Sequence, residues 1–296
     1  MKKLFCGISI ILILLFGFSG CSINVNNGSK SVTNAYNAKL KVHYIDVGQG
    51  DSILVQKNNE NMLIDTGTNA STDKLISYLK NQGIKRIDYL VLTHPHEDHI
   101  GGADAVIRDF DIGKIYMPKV STSTRTFRDV IKAMRAKNLK ATDPDPLTTF
   151  NVGDAKCVVY GPINRIKGDF NTYSIVIKLT YKNNKFLFTG DAQSSNEQDM
   201  IEAGYDLSAD VLKLGHHGSH TSTSDEFLDK VNPKYAVVSC GKDNDYGHPH
   251  KETVTKLKNR NIPLYRTDED GTIVCTSDGT SIKFNCKPGS YNNGRR

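Results

Sequence analysis

Residues 94–99 read His94-Pro95-His96-Glu97-Asp98-His99, and no other stretch narrows the fold as much. Three imidazoles with Asp98 among them serve no packing surface. The preceding residues, Ile87–Leu92, are short and largely apolar, which predicts a buried strand. Gly101 and Gly102 follow directly. The histidines therefore leave a strand end on a loop, where Pro95 and the glycines let successive side chains aim at one centre. Imidazole and carboxylate are the ligands of zinc and related divalent ions. A lone His-x-His arises easily by chance, but this density at a strand end does not suit a solvated surface.

The rest of the chain supplies sheets and helices in alternation. Residues 40–47 alternate like a half-buried strand, Gly48-Gln49-Gly50-Asp51 turns, and 52–56 and 61–65 return as strands. Residues 72–82 have helical spacing, with Leu75, Ile76 and Leu79 on one face and Gly83 as the stop. A second helix is expected over 126–136. A hairpin is expected from 173–181 and 185–189 around Lys182-Asn183-Asn184. Residues 210–214 read as a strand ending at Gly215-His216-His217, 234–239 as another strand, and 252–260 as a helix. Residues 263–285 are strand-rich. The mixture predicts an α/β protein with sheets covered by helices.

The first residues belong to a different class. Lys2 and Lys3 precede an apolar run, 8–16, and a small-residue exit, Ser19-Gly20-Cys21. That is the pattern of a signal peptide over 1–20. The run is shorter than the roughly 20 apolar residues of a spanning helix. Ser19-Gly20-Cys21 resembles a bacterial lipobox, which makes Cys21 the lipidation site. Phe18 departs from the aliphatic residue usual there, and an uncleaved anchor is the other reading. Residues 21–38, rich in Asn and Ser, suit a flexible tether. One hydrolase-sized domain is expected over 39–286, followed by a polar tail over 287–296. The expected location is the extracytoplasmic face of the membrane, with the lipid on Cys21 as the membrane contact.

Taking Lys2 and Lys3 from 38 basic residues leaves 36 against 32 acids, a balance of +4. That balance permits a polyanionic substrate, and solubility alone would also explain it. No arginine-rich tract or interleaved aromatic stripe marks a nucleic-acid site. The remaining cysteines, Cys157, Cys240, Cys275 and Cys286, show no CxxC spacing, so a cysteine zinc site is not expected. Cys275 and Cys286 flank an expected hairpin and are either a pair or buried free thiols; the thiols are the simpler reading.

Thr93–His99 resembles the HxHxDH signature of the metallo-β-lactamase superfamily. Further pieces follow in that family's order: Leu63-Ile64-Asp65-Thr66-Gly67, Phe188-Thr189-Gly190-Asp191 and Gly215-His216-His217-Gly218-Ser219. Ile45–Ser52, Leu212–Ser219 and Tyr246-Gly247-His248-Pro249 make the likeness closer to the ComEC-like hydrolase domains of competence proteins. The resemblance implies an αββα four-layer sandwich with metals at one sheet edge. It implies His94 and His96 on one metal, Asp98 and His99 on the second, and Asp191 as the bridge. His216 or His217 would complete the second site; the doublet leaves both open. Asp65 is expected to orient the histidine loop from behind, with Asp51 in the same role.

One departure stands out. The broader superfamily places another histidine between the HxHxDH and Gly-Asp motifs, and none occurs here between His99 and His216. Asn171, in Asp169–Ser174, occupies that region and offers an oxygen ligand or a substrate contact. Two divalent ions are implied, zinc first, with manganese as the alternative because it tolerates oxygen-rich sites. His248 is the candidate proton donor, and Lys213 a candidate phosphate contact. His250, His43 and His220 are expected at the surface without a role. Gly50 and Gly218 suit either a close substrate approach or plain turn geometry.

The expected activity is an exported, metal-dependent phosphodiesterase or nuclease acting on DNA or a related phosphodiester. Three other readings compete: a phosphoesterase of envelope polymers bearing phosphocholine, a β-lactam hydrolase, and a non-catalytic binding lipoprotein. The missing histidine counts against β-lactams, and the nearly complete ligand set against pure binding. No protein partner is identifiable from the sequence.

Overall fold

The computed structural model describes Met1 and residues 39–294. The expected signal peptide, Cys21 and the tether lie outside the described residues. Among those described, two mixed sheets face each other. The first carries β1 (Leu40–Tyr44), β2 (Ile53–Lys57), β3 (Glu60–Ile64), β4 (Arg86–Val91), β5 (Asp111–Tyr116) and β6 (Ala141–Thr142). The second carries β7 (Thr149–Val152), β8 (Ala155–Gly161), β9 (Val176–Tyr181), β10 (Asn184–Phe188), β11 (Val211–Lys213), β12 (Tyr235–Val238) and β13 (Leu264–Arg266). The chain then returns to the first sheet as β14 (Ile273–Ser277) and β15 (Ile282–Phe284), giving the order β15-β14-β1-β2-β3-β4-β5-β6. The second sheet runs β13-β12-β11-β10-β9-β8-β7.

Three apolar layers show why four layers form. Tyr44, Val55, Met62, Phe150, Leu179 and Phe186 meet between the sheets. The outer face of the first sheet packs Leu54, Leu63 and Leu90 against α1 (Thr72–Asn81), the short α2 (Glu97–Ile100), α3 (Ala103–Asp109) and α4 (Arg125–Ala136). The outer face of the second packs Leu187, Leu212 and Val238 against α5 (Ser194–Glu202), α6 (Asp225–Val231) and α7 (Lys251–Asn259). A strand covered on both faces reads as nearly continuous apolar sequence. β1 is such a strand, so only Lys41 is exposed where alternation suggested half burial.

Two boundaries differ from the sequence expectation. Residues 170–173 form a 3-10 turn rather than the start of β9. Asp169 accepts from Asn171 N (3.2 Å), and Thr172 Oγ1 donates to Asp169 O (2.7 Å), so local side-chain bonds outcompete the ladder. The hairpin turn is only Lys182-Asn183, since Asn184 already pairs with Tyr181. Residues 287–294 run back over the domain: Gly289 N donates to Leu264 O and Gly294 N to Pro249 O. No helix among the described residues is long and apolar enough to cross a membrane.

β3, β4 and β5 are mutually parallel, as are β10, β11, β12 and β13. Open sheets of this kind bind ligands beyond the carboxyl ends of their parallel strands. The histidine loop leaves β4 at that edge, Asp65 leaves β3, Asp191 follows β10, and the His216-His217 doublet follows β11.

Candidate metal centre

Four histidines present Nε2 to one point because the protein holds Nδ1 of each. His99 Nδ1 pairs with Asp65 Oδ2 at 2.8 Å. His217 Nδ1 donates to Ser239 O at 3.0 Å. His94 Nδ1 lies 3.1 Å from Thr93 Oγ1, and His216 Nδ1 lies 2.8 Å from Thr221 Oγ1. His96 is turned the other way, with Nδ1 inward, 2.9 Å from His94 Nε2. Metal-ligating histidines show this pattern, in which an outer partner fixes tautomer and ring orientation.

Asp191 sits among them with its two oxygens divided. Oδ1 is 3.2 Å from His99 Nε2 and 3.5 Å from His217 Nε2. Oδ2 is 3.7 Å from His94 Nε2 and 3.8 Å from His216 Nε2. Asp98 Oδ2 joins the first group, 3.2 Å from His217 Nε2. Ligands held roughly 2.0–2.2 Å from one ion stand about 3–4 Å from each other. Asp191 Oδ1 and Asn171 Oδ1 are buried without a hydrogen-bond partner, which is costly unless something else satisfies them. The charge balance points the same way. Burial opposes protonation of His99 and His217, yet Asp191 and the neighbouring carboxylates raise both, His217 to about 10. A carboxylate-rich pocket that holds protons on its imidazoles suits cations, and the donor set fits two divalent ions.

The doublet is built at a backbone cost. His216 and His217 both lie in the left-handed region, at φ 48° and 53°. That conformation costs a residue with a Cβ about 1–2 kcal/mol. It sends His217 into the buried cluster with Asp98 and His99, while His216, partly exposed, stands beside Asn171 and Asp191 Oδ2 in the wall of a cavity of about 490 Å³.

Residues 45–242 match the model of the metallo-beta-lactamase superfamily. The chain belongs to this superfamily. It is 32% identical over 251 residues to ComE operon protein 3 of Bacillus subtilis, covering 79% of this chain and 32% of that protein. It is 33% identical over 230 residues to competence protein ComA of Neisseria gonorrhoeae, covering 77% and 31%. The chain thus spans about a third of the length of these ComEC-like relatives. Among solved structures, the metallo-beta-lactamase fold protein YhfI of Bacillus subtilis superposes with a TM-score of 0.53 at 15% identity, over 77% of this chain and 96% of that one.

As a metallo-β-lactamase-fold hydrolase, the chain brings most of the expected residues to one edge. Asp65 is fully buried and also accepts from Thr93 N and Oγ1, so it fixes the loop that carries His94. Lys213 stands elsewhere than expected. It is fully buried, and its Nζ donates to Asp51 Oδ2 and Leu214 O, both at 2.9 Å, so its ammonium does not reach the cavity. Burial alone would raise Asp51, but Lys213 and His217 outweigh it and hold the carboxyl down to about 2.

His248 does line the cavity. Burial, followed by the charges of His217, His250 and His216, pushes it down to about 3. That direction favours the neutral ring over the protonated donor expected from the sequence. Gln49 Nε2 lies 3.3 Å from its Nδ1, which leaves Nε2–H as a hydrogen-bond donor.

Gly50 and Gly218 serve the joints of the site. A Cβ on Gly50 would run into the Asp98 carbonyl, and one on Gly218 would stand 2.7 Å from Pro249 Cβ. His250 is a joint as well: its Nδ1 accepts from His220 N and its Nε2 lies 3.0 Å from Tyr246 O. Cys157, Cys240, Cys275 and Cys286 are free thiols. Sequence reasoning missed Gln49, Ser174 and Ser239. Ser174 Oγ accepts from Asp191 N and lies 3.4 Å from His94 Nδ1. Gln49 and Ser174 lie inside the Ile45–Ser52 and Asp169–Ser174 segments, and Ser239 acts through a carbonyl, which no side-chain pattern reveals.

Proposed function

We infer that this chain is a two-metal phosphodiesterase, exported and held at the membrane by lipid on Cys21, with DNA as its favoured substrate. The division of Asp191 carries the reading. His94, His96, His216 and Asp191 Oδ2 would hold one ion, and Asp98, His99, His217 and Asp191 Oδ1 the other. On this assignment the doublet gives one histidine to each site, and His216 makes good the histidine missing from the middle of the chain. Two close divalent ions supply acidified water at neutral pH and offset charge on a phosphoryl group.

The protein's own part is positioning. Asp191 fixes the separation of the two sites from a strand end. Asn171 presents an amide to the cavity, where it donates to a phosphoryl oxygen. His248 Nε2–H, oriented through Gln49, donates to the departing oxygen, which takes its proton from water. The name of the Neisseria gonorrhoeae relative associates that protein with competence, which supports a nucleic-acid substrate here.

The test loads the purified full chain with zinc or manganese. It is then offered bis-p-nitrophenyl phosphate, single-stranded DNA, a phosphocholine ester and a chromogenic cephalosporin. Turnover of the two diesters, dependent on metal, is expected. Cleavage of the phosphocholine ester or the cephalosporin without either diester replaces the reading. Mass spectrometry of the protein from membranes is expected to find lipid on Cys21, and an unmodified Cys21 overturns the anchor.

A further inference from the structure

The outer face of α4 presents Arg125, Arg128, Lys132 and Arg135 to solvent, at spacings of 3, 4 and 3. Such spacing puts all four on one side of a helix. Phe127, Val130, Ala133 and Met134 occupy the buried side. Because the four are spread along the chain, they never form a run, and a search for basic tracts passes over them.

Helix stability explains only part of this ridge: Arg135 in the last turn suits the macrodipole, and Arg128 Nη1 donates to Ser123 O. The first turn has no acidic residue, although an acid there favours a helix and a cation opposes the macrodipole. Arg128 and Lys132 stand four apart with like charge, which is destabilising. Asp129 pairs with Arg125 at 3.5 Å. Arg128, Lys132 and Arg135 have no ion pair among the described residues.

The N-terminal end of α4 is tied to the rim of the metal cavity through Thr126, the buried neighbour of Arg125. Asn69 Nδ2 donates to Thr126 Oγ1 at 2.9 Å, and Asn69 N donates to Glu97 Oε1 at 2.6 Å. Glu97 and the neighbouring Thr68 line the cavity. A chain of negative charges lying along α4 would therefore be delivered to the metal-binding edge. Tyr246 lines the same cavity, is 59% exposed, and stacks one face on His248 at 5.5 Å and 14°. Its other face suits a nucleobase, since aromatic rings of this kind hold bases of any sequence.

We propose that the α4 ridge is a docking track for a phosphodiester strand, specifically a single strand of nucleic acid, leading into the cavity. The inference rests on the phosphodiesterase reading for its substrate class but is tested by binding. The full chain is titrated with a phosphorothioate dT20 oligonucleotide between 50 and 200 mM salt. The variant replaces Arg125, Arg128, Lys132 and Arg135 with Gln. A control replaces Lys182, Lys230, Lys234 and Lys258, exposed residues elsewhere, and removes the same charge.

Each phosphate contact on a single strand contributes about 0.7 to the slope of log K against log salt. The ridge variant, which removes four such contacts, is expected to lose about 3 from that slope and at least about tenfold in affinity at the lowest salt. The control should keep both and should hydrolyse bis-p-nitrophenyl phosphate like the parent, and the ridge variant should keep the parent's circular dichroism spectrum. Equal binding by the ridge variant and the parent overturns the track and leaves the hydrolase reading standing. Ridge-dependent binding without cleavage of any diester overturns the hydrolase reading and leaves the track. A glycerol-phosphate polymer that competes as well as dT20, with no advantage of dT20 over an abasic strand, overturns nucleic acid as the occupant.

Discussion

Lys213 and Asp51 form a fully buried ion pair, 2.9 Å from Nζ to Oδ2, directly behind His217. Asp51 Oδ1 lies 3.5 Å from His217 Nδ1. A lone lysine beside a site for two dications would repel them; paired with Asp51 it leaves no net charge. Breaking a buried pair on one side strands the other charge, at about 3–5 kcal/mol. Lys213→Met should cost that much in urea unfolding of the metal-stripped protein. Adding Asp51→Leu should recover most of it. A single-variant cost within the noise of the measurement would show that the pair holds nothing in place.

Asp191→Asn separates fold from chemistry. The amide is nearly isosteric and the position follows a strand end, so the circular dichroism spectrum should not change. An amide bridges two cations poorly and carries no charge against them. Metal content should fall, and turnover of bis-p-nitrophenyl phosphate at saturating metal should drop at least about a hundredfold, since each ~1.4 kcal/mol of barrier is tenfold in rate. An active enzyme that keeps its rate in this variant would exclude the two-site arrangement.

His216→Gln and His217→Gln probe the two sides of the doublet. Each should lower metal content, measured by equilibrium dialysis, from two ions per chain towards one. With cobalt as the probe, the two variants should lose different parts of the visible absorption spectrum, because the surviving sites have different ligands. If His216→Gln keeps both ions with an unchanged cobalt spectrum, His216 is a substrate contact and Asn171 alone stands at the missing ligand's place.

Much of this site was legible in the sequence, and the reasons differ by residue. His94–His99 could be read because ligands on one loop are close in sequence as well as in space. Asp65 and Asp191 could be read because each ends an apolar strand, and the sheet brings those ends together. The doublet could not be divided, because the direction of each ring depends on two left-handed backbone conformations. Lys213 was misplaced for a related reason. A strand-end lysine is usually solvated, and only the approach of Asp51 across 162 positions makes its burial tolerable. The α4 ridge escaped because a helix gathers onto one face residues that the sequence keeps apart.

Gly50 tests how tightly the loops interlock. It adopts φ +150°, and a Cβ there would strike the carbonyl of Asp98, whose oxygen also accepts from Asp51 N at 3.1 Å. Gly48, at φ +74°, has nothing within 4 Å of a Cβ. Gly48→Ala should cost only the backbone term, about 1 kcal/mol. Gly50→Ala should cost more, about 1–3 kcal/mol, as overpacked sites do, and should weaken metal binding by displacing Asp98. Equal stability and equal metal affinity in the two variants would show that the Gly50 contact relaxes freely.

His43 provides a pH test on the helix-covered side of β1. It is buried, its Nδ1 lies 2.8 Å from Tyr78 Oη, and its Nε2 has no hydrogen-bond partner. Burial, with Lys41 adding to it, lowers its pKa from 6.5 to about 4. Above pH 6.5 the ring is neutral in both folded and unfolded chains and contributes no pH dependence. As pH falls from 6.5 to 4, the unfolded chain takes up the proton and the folded chain resists it, so stability is lost across that window. Below 4 both states are protonated and the loss levels off. At about 1.4 kcal/mol per unit, the loss is on the order of 3 kcal/mol. Urea unfolding of metal-stripped protein and His43→Leu, compared at pH 7.5, 5.5 and 4.5, isolates it from the carboxylates. The stability difference between the two proteins should move in favour of His43→Leu as pH falls. A difference that stays constant with pH would mean that His43 is hydrated and titrates normally in the folded chain.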